Sequence, residues 1–130
     1  MSGVREPAVA GLFYPAASDE LRTTIEEYLA KAPSAGGSPK ALIAPHAGYV
    51  YSGPVAAAAY ARLAEAREEV RRVILLGPAH RMALAGMAIS SATAFSTPLG
   101  EVSVDAEAFE IAKRVPNVRV FDPPFEDEHS

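Results

Sequence analysis

Two histidines follow two short aliphatic runs, in Ala41-Leu42-Ile43-Ala44-Pro45-His46-Ala47-Gly48-Tyr49 and in Val73-Ile74-Leu75-Leu76-Gly77-Pro78-Ala79-His80. Each run is closed by a Pro or Gly-Pro break, the pattern of a buried strand that delivers a histidine into the loop at its C-terminal end. In an open α/β sheet that edge is where ligands bind. If the two strands are neighbours, His46 and His80 face one another, and two neutral imidazoles supply half of an N/O metal site. Taken singly, each histidine also reads as a loop residue capping strand ends. The repeat of strand, proline and histidine in successive units points to a metal or general-base role. Gly48 lets backbone pass near a bound group, and Tyr49 and Tyr51 are pocket candidates that offer phenolic hydrogen bonds.

Other polar residues carry plainer readings. Glu126-Asp127-Glu128-His129 holds enough oxygen and nitrogen to suggest ligands, but a charge run of this kind reads first as a solvated acidic end. Ser52 reads as a cap and not a nucleophile, because Gly-x-Ser-x-Gly is absent and no base and acid partners stand out. Asp105 reads as an N-cap. With no cysteine, disulfides, thiolate nucleophiles and cysteine-ligated metals are excluded within this chain, and any metal must be held by His, Asp, Glu or water.

The elements that must position these residues follow from periodicity. Ser18 is placed to cap a helix that carries Asp19 and Glu20 in its first turn and buries Leu21, Ile25, Tyr28 and Leu29. Residues 32–39 form a connector whose Gly36-Gly37 lacks the Gly-Lys-Ser pattern of a phosphate loop. A strand is expected over 40–44, a helix over 55–66 opened by Gly53-Pro54, and a second strand over 72–76, together a right-handed βαβ unit with parallel strands. A third strand is expected over 87–90. A turn at 95–100 then leads to an edge strand over 101–104, a helix from Asp105 to about residue 114, and a last strand over 118–121.

Composition bounds the class. The 130 residues are 49% hydrophobic and 22% charged, which fits a single soluble domain over 1–130. The net charge is −4 and the basic residues are scattered apart from Arg71-Arg72, so no nucleic-acid partner is expected. No apolar stretch approaches the roughly 20 residues that span a bilayer, and the N-terminus lacks the apolar core of a signal peptide. The expectation is therefore no membrane partner and a cytoplasmic location.

The segments Ala10-Gly11-Leu12-Phe13-Tyr14-Pro15, Ile43-Ala44-Pro45-His46-Ala47-Gly48-Tyr49, Tyr51-Ser52-Gly53-Pro54, Leu76-Gly77-Pro78-Ala79-His80, Thr97-Pro98-Leu99-Gly100 and Asp127-Glu128-His129-Ser130 occur in that order. On these motifs the chain resembles the Memo family, also called AmmeMemoRadiSam system protein B, from about residue 5 to its last residue. The family is similar in fold to the LigB-like class III extradiol dioxygenases, which open catechol rings with O₂ at a non-haem Fe(II). The resemblance implies an α/β fold with a mostly parallel sheet flanked by helices, incomplete in this chain. It also implies that His46 and His80 belong to a metal site and that His129, in the Asp-Glu-His-Ser motif, is a catalytic candidate. Fe(II) is the implied metal, with Cu and Zn as alternatives, since imidazole suits all three.

The resemblance further implies that the chain corresponds to the N-terminal half of a longer protein, whose later half would bring another active-site histidine and a cysteine ligand. A homo-oligomer, or association with a chain supplying the missing half, would cover the exposed sheet edge. Three functions are then open. One is a metal-dependent oxidation of a small molecule, dioxygenase-like in kind. The second is a non-catalytic module that binds a small molecule or a peptide, and the third a hydrolase using a metal-bound water.

Overall fold

The computed structural model describes residues 3–33 and 36–129. Part of the expected connector, Ser34 and Ala35, and the final Ser130 of the Asp-Glu-His-Ser motif lie outside the described residues. The chain divides into two compact units, Met1–Val9 with Leu75–Ser130, and Ala10–Ile74. The fold is α/β, and every named strand lies in the first unit.

In this α/β unit, β1 (Val4–Arg5) pairs parallel with β3 (Ala94–Thr97), and β3 pairs antiparallel with β4 (Gly100–Ser103). A separate parallel ladder joins β2 (Met87–Ile89) to β5 (Val118–Val120), with Met87 opposite Val118 and Ile89 opposite Val120. Two of the three ladders are parallel, so the sheet content is mostly parallel. The β3–β4 hairpin turns through Pro98-Leu99, and Gly100 takes φ 126°, a conformation that suits glycine. Thr97 Oγ1 stitches the turn by donating to the Gly100 carbonyl at 2.8 Å and accepting from the Leu99 N–H at 3.1 Å. Helix α3 (Ala106–Ala112) is capped as expected, with Asp105 Oδ1 accepting from the Ala108 N–H at 2.9 Å. Phe109 on this helix is buried, as are Ala92 and Ala94 beside β3.

The second unit is helical. Helix α1 (Ser18–Lys31) buries Leu21, and its N-cap position is Ala17, which makes no side-chain capping bond, in place of the expected Ser18. Helix α2 (Tyr49–Tyr60) starts six residues earlier than proline placement suggests, and a 3₁₀ turn, Ala61–Ala66, follows it. The early start has local causes. The Tyr49 N–H donates to the Phe13 carbonyl at 2.7 Å, and Ser52 Oγ to the Ala47 carbonyl at 2.9 Å, which fixes the first turn before Pro54 is reached. Pro54 then lies inside the helix, where its ring nitrogen has no hydrogen to give the Val50 carbonyl. Gly53 is required by α1, because a Cβ there would stand 2.5 Å from Cε2 of Tyr28.

The expected strands at 40–44 and 72–76 do not form, and with them the βαβ unit is corrected. A strand is held by its ladder, and among the described residues neither run has a paired neighbour. Leu42 and Ala44 are half-buried, but Ile43 is fully exposed and Val73, Ile74, Leu75 and Leu76 are between 76 and 81% exposed. Among the described residues no helix is long and apolar enough to cross a membrane.

Candidate functional site

The chemistry-bearing part of the α/β unit is assembled from its two ends. After β5, Asp122 precedes a 3₁₀ turn, Pro123–Phe125, that carries the chain into Glu126-Asp127-Glu128-His129. Arg5 of β1 fixes this segment by donating from Nε to the Phe125 carbonyl at 2.8 Å and from Nη2 to the Glu128 carbonyl at 2.7 Å. The same guanidinium lies over the Phe95 ring at 5.4 Å, and Phe95 meets Phe125 edge-on at 6.5 Å between centroids. One arginine thus ties the first strand, the hairpin and the terminal segment together.

Glu126 and Asp127 face solvent, but Glu128 turns inward and is buried. The reading of this segment as a solvated acidic end is therefore corrected at its third acid. Glu128 Oε2 accepts the His80 backbone N–H at 2.6 Å, and Oε1 accepts the His129 backbone N–H at 2.9 Å. Oε1 also lies 2.7 Å from His80 Nδ1 and 3.5 Å from His129 Nδ1. Each carboxylate oxygen thus accepts one backbone N–H, and Oε1 also meets the His80 ring nitrogen. The His80 and His129 rings stack with centroids 4.1 Å apart and planes 30° from parallel. His80 keeps about a third of its side chain exposed and His129 about a sixth.

The structure therefore brings together His80 and His129, and adds Glu128, which sequence reasoning passed over. The other candidates lie in the helical unit. His46 is exposed, in the irregular segment three residues before α2 begins. Tyr49 is half-buried, its ring 5.7 Å from that of Tyr14 and 6.4 Å from that of Tyr28. Burial raises the Tyr49 phenol above the usual tyrosine range, with Tyr14 and Tyr60 adding to the effect. Tyr51 is exposed on the first turn of α2. Ser52 is buried and bonded to the Ala47 carbonyl, which fits a helix-end role.

An open cleft of about 350 Å³ in the α/β unit is lined by Arg5, Ser90, Ser91, Asp122, Phe125 and Glu126 among others. The Asp122 carboxylate is committed to loop geometry. Asp122 accepts the Ser91 N–H at 2.7 Å, Ser91 Oγ at 2.7 Å and Ser90 Oγ at 3.0 Å. These bonds, led by the one from the Ser91 backbone, hold Asp122 below the ordinary carboxylate range.

Imidazole donors suit Fe, Cu and Zn. A histidine whose Nδ1–H is taken by a carboxylate, leaving the lone pair on Nε2, is the usual arrangement of a metal-ligating histidine. His80 Nδ1 and Glu128 Oε1, 2.7 Å apart, are placed for that arrangement, so the residues present fit a transition metal.

Comparison with known proteins agrees with the motif reading. A family model described as Memo-like protein matches residues 5–130. A MEMO1 family protein of Aquifex aeolicus is 40% identical over 113 residues, covering 87% of this chain and 41% of that protein. Protein MEMO1 of Danio rerio is 38% identical over 127 residues, covering 97% of this chain and 42% of its own length. A MEMO1 family protein of Methanocaldococcus jannaschii is 44% identical over 121 residues, covering 85% and 42% respectively. The chain spans about two-fifths of the length of these relatives.

Proposed function

This chain belongs to the Memo-like family, and on that premise we propose that His80, His129 and, by its motif position, His46 supply imidazole ligands to a transition metal. The single observation that carries the reading is the buried Glu128 carboxylate 2.7 Å from His80 Nδ1. That bond orients the ring, which a histidine merely capping strand ends does not need. Glu128 acts in this reading as the partner of a ligand, since its two oxygens already accept bonds from His80 and His129.

The reaction class we propose is a metal-dependent oxidation of a small molecule, in keeping with the family's likeness to LigB-like dioxygenases. Fe(II) is the first choice of metal and would supply the redox chemistry when bound. The chain's own residues would hold and orient it. His80 is fixed by Glu128, Glu128 by Arg5, and His129 is stacked on His80. A cytoplasmic setting, where Fe(II) stays reduced, belongs to the same reading.

The test is an anaerobic titration of the chain with Fe(II), Zn(II) and Cu(II), beside a His46→Ala, His80→Ala variant, with elemental analysis of the protein as isolated. Stoichiometric binding in the chain and its loss in the double variant are expected. Equal binding by the two proteins would sink the assignment. Oxygen consumption with catechol-type substrates then decides between oxidation and ligand binding without turnover.

A further inference from the structure

We propose that Glu128 is a positioning residue that holds His80 in its Nδ1–H tautomer, with Arg5 fixing the Glu128 backbone behind the carboxylate. The inference rests on the metal reading for its purpose but not for its geometry. An isolated neutral imidazole places its proton on either nitrogen, and its partners decide which. Here Nδ1 lies 2.7 Å from an oxygen that also takes the His129 N–H at 2.9 Å, while the other oxygen takes the His80 N–H at 2.6 Å. An ionised carboxylate only accepts, and both oxygens already do so from backbone N–H groups, so we assign the proton of the bond to the ring to Nδ1 and the lone pair to Nε2.

The carboxylate cannot easily swing away. It is buried, and it is held by two backbone donors besides the ring. The Glu128 carbonyl, on the other side of the residue, is bound by Arg5 Nη2 at 2.7 Å, and Arg5 Nε grips Phe125 three residues earlier. This places the control of His80 in β1, more than seventy residues away in sequence and in a strand of only two residues. The chain thereby uses its first ordered strand and its last described residues to set the proton on one ring.

The tautomer is read directly by long-range ¹H–¹⁵N correlation of histidine-labelled chain, without metal, above the imidazole titration range. The His80 signals are assigned by their loss in His80→Ala. In the wild-type chain His80 is expected as the Nδ1–H tautomer. Glu128→Ala is expected to move it to mainly Nε2–H, while Glu128→Gln, which keeps an acceptor oxygen, retains the Nδ1–H form. Unchanged amide shifts in the β3–β4 hairpin show that the variants are folded. A wild-type His80 found mainly as Nε2–H overturns the proposal, and so does a folded Glu128→Ala chain with the tautomer unchanged. If Glu128→Ala does not fold, the wild-type and Glu128→Gln spectra still decide. A metal titration of the same samples separates the two readings. A loss of about 10- to 100-fold in zinc affinity for Glu128→Ala supports both. If none of zinc, Cu(II) and, anaerobically, Fe(II) binds while the Nδ1–H tautomer is present, the metal reading alone is overturned and the positioning role is supported.

Discussion

Strand β5 and the run at 73–76 are both short segments rich in β-branched or aliphatic residues, and their surroundings differ. Val118–Val120 lies against Met87–Ile89 in a parallel ladder, whereas Val73, Ile74, Leu75 and Leu76 are 76 to 81% exposed. Apolar content does not decide the outcome, since the wholly aliphatic run is the unpaired one and the paired strand carries Arg119; delivery does. Asn117, at φ 65°, and Gly86, at φ 84°, put the Met87 N–H onto the Asn117 carbonyl at 2.8 Å, and this contact sets the register of the pair. Among the described residues nothing comparable aligns a partner with 73–76. A β-prone segment becomes a strand only where local geometry brings a second one into register.

The sharpest way to break the comparison is to truncate a covered and an uncovered side chain in the same unit. Phe109→Ala removes a ring that is 8% exposed and should cost about 3–5 kcal/mol of stability in urea unfolding. Leu75→Ala removes a side chain that is 81% exposed and should change stability by less than about 0.5 kcal/mol. A large cost for Leu75→Ala would mean that the run is covered in solution, and sedimentation of the chain would then show self-association.

The same distinction explains what the amino-acid pattern could reveal. Strands β2, β4 and β5 and the Asp105 cap were legible because each is signalled locally, by short β-branched runs, a Pro-Leu-Gly turn and an acid before a helix. The expected strands at 40–44 and 72–76 were misread because hydrophobicity marks what can be covered and says nothing of what covers it. β1 is too short to carry a pattern. At the site, the Pro-His motifs pointed to His46 and His80, and the Asp-Glu-His motif to His129. Glu128 was lost in a charge run read as a whole, although Glu126 and Asp127 face solvent and only the third acid turns in. The available signal was an apolar Pro-Pro-Phe turn just before it, which anchors the segment to Arg5.

A smaller effect tests the delivery of β5. At Gly86 a Cβ would collide with the Asn117 carbonyl, and the backbone is in the left-handed region, so Gly86→Ala should cost about 1–3 kcal/mol. Hydrogen exchange should accelerate at β2 and β5 and leave the β3–β4 hairpin unchanged. Uniform acceleration would show that the two ladders open together and that the Gly86–Asn117 contact has no special hold on one of them.

The smallest expected effect lies just beyond β5, where Asp122 gathers Ser90 and Ser91. Its folded carboxyl is held below the ordinary range by the Ser91 backbone bond first and the serine hydroxyls after it. A depressed folded value means that the unfolded chain binds the proton more readily, so stability rises with pH across the interval between the two values. The contribution is complete above the ordinary carboxylate range and is lost as pH falls through the folded value. Asp122 is exposed, so solvent keeps the effect modest. Asp122→Asn should therefore be slightly less stable than wild type at neutral pH and should converge with it on acidification. If the gap between the two proteins stayed constant with pH, the serine bonds would be holding the loop by shape alone, and the charge on Asp122 would have no part in seating the segment that leads to Glu128.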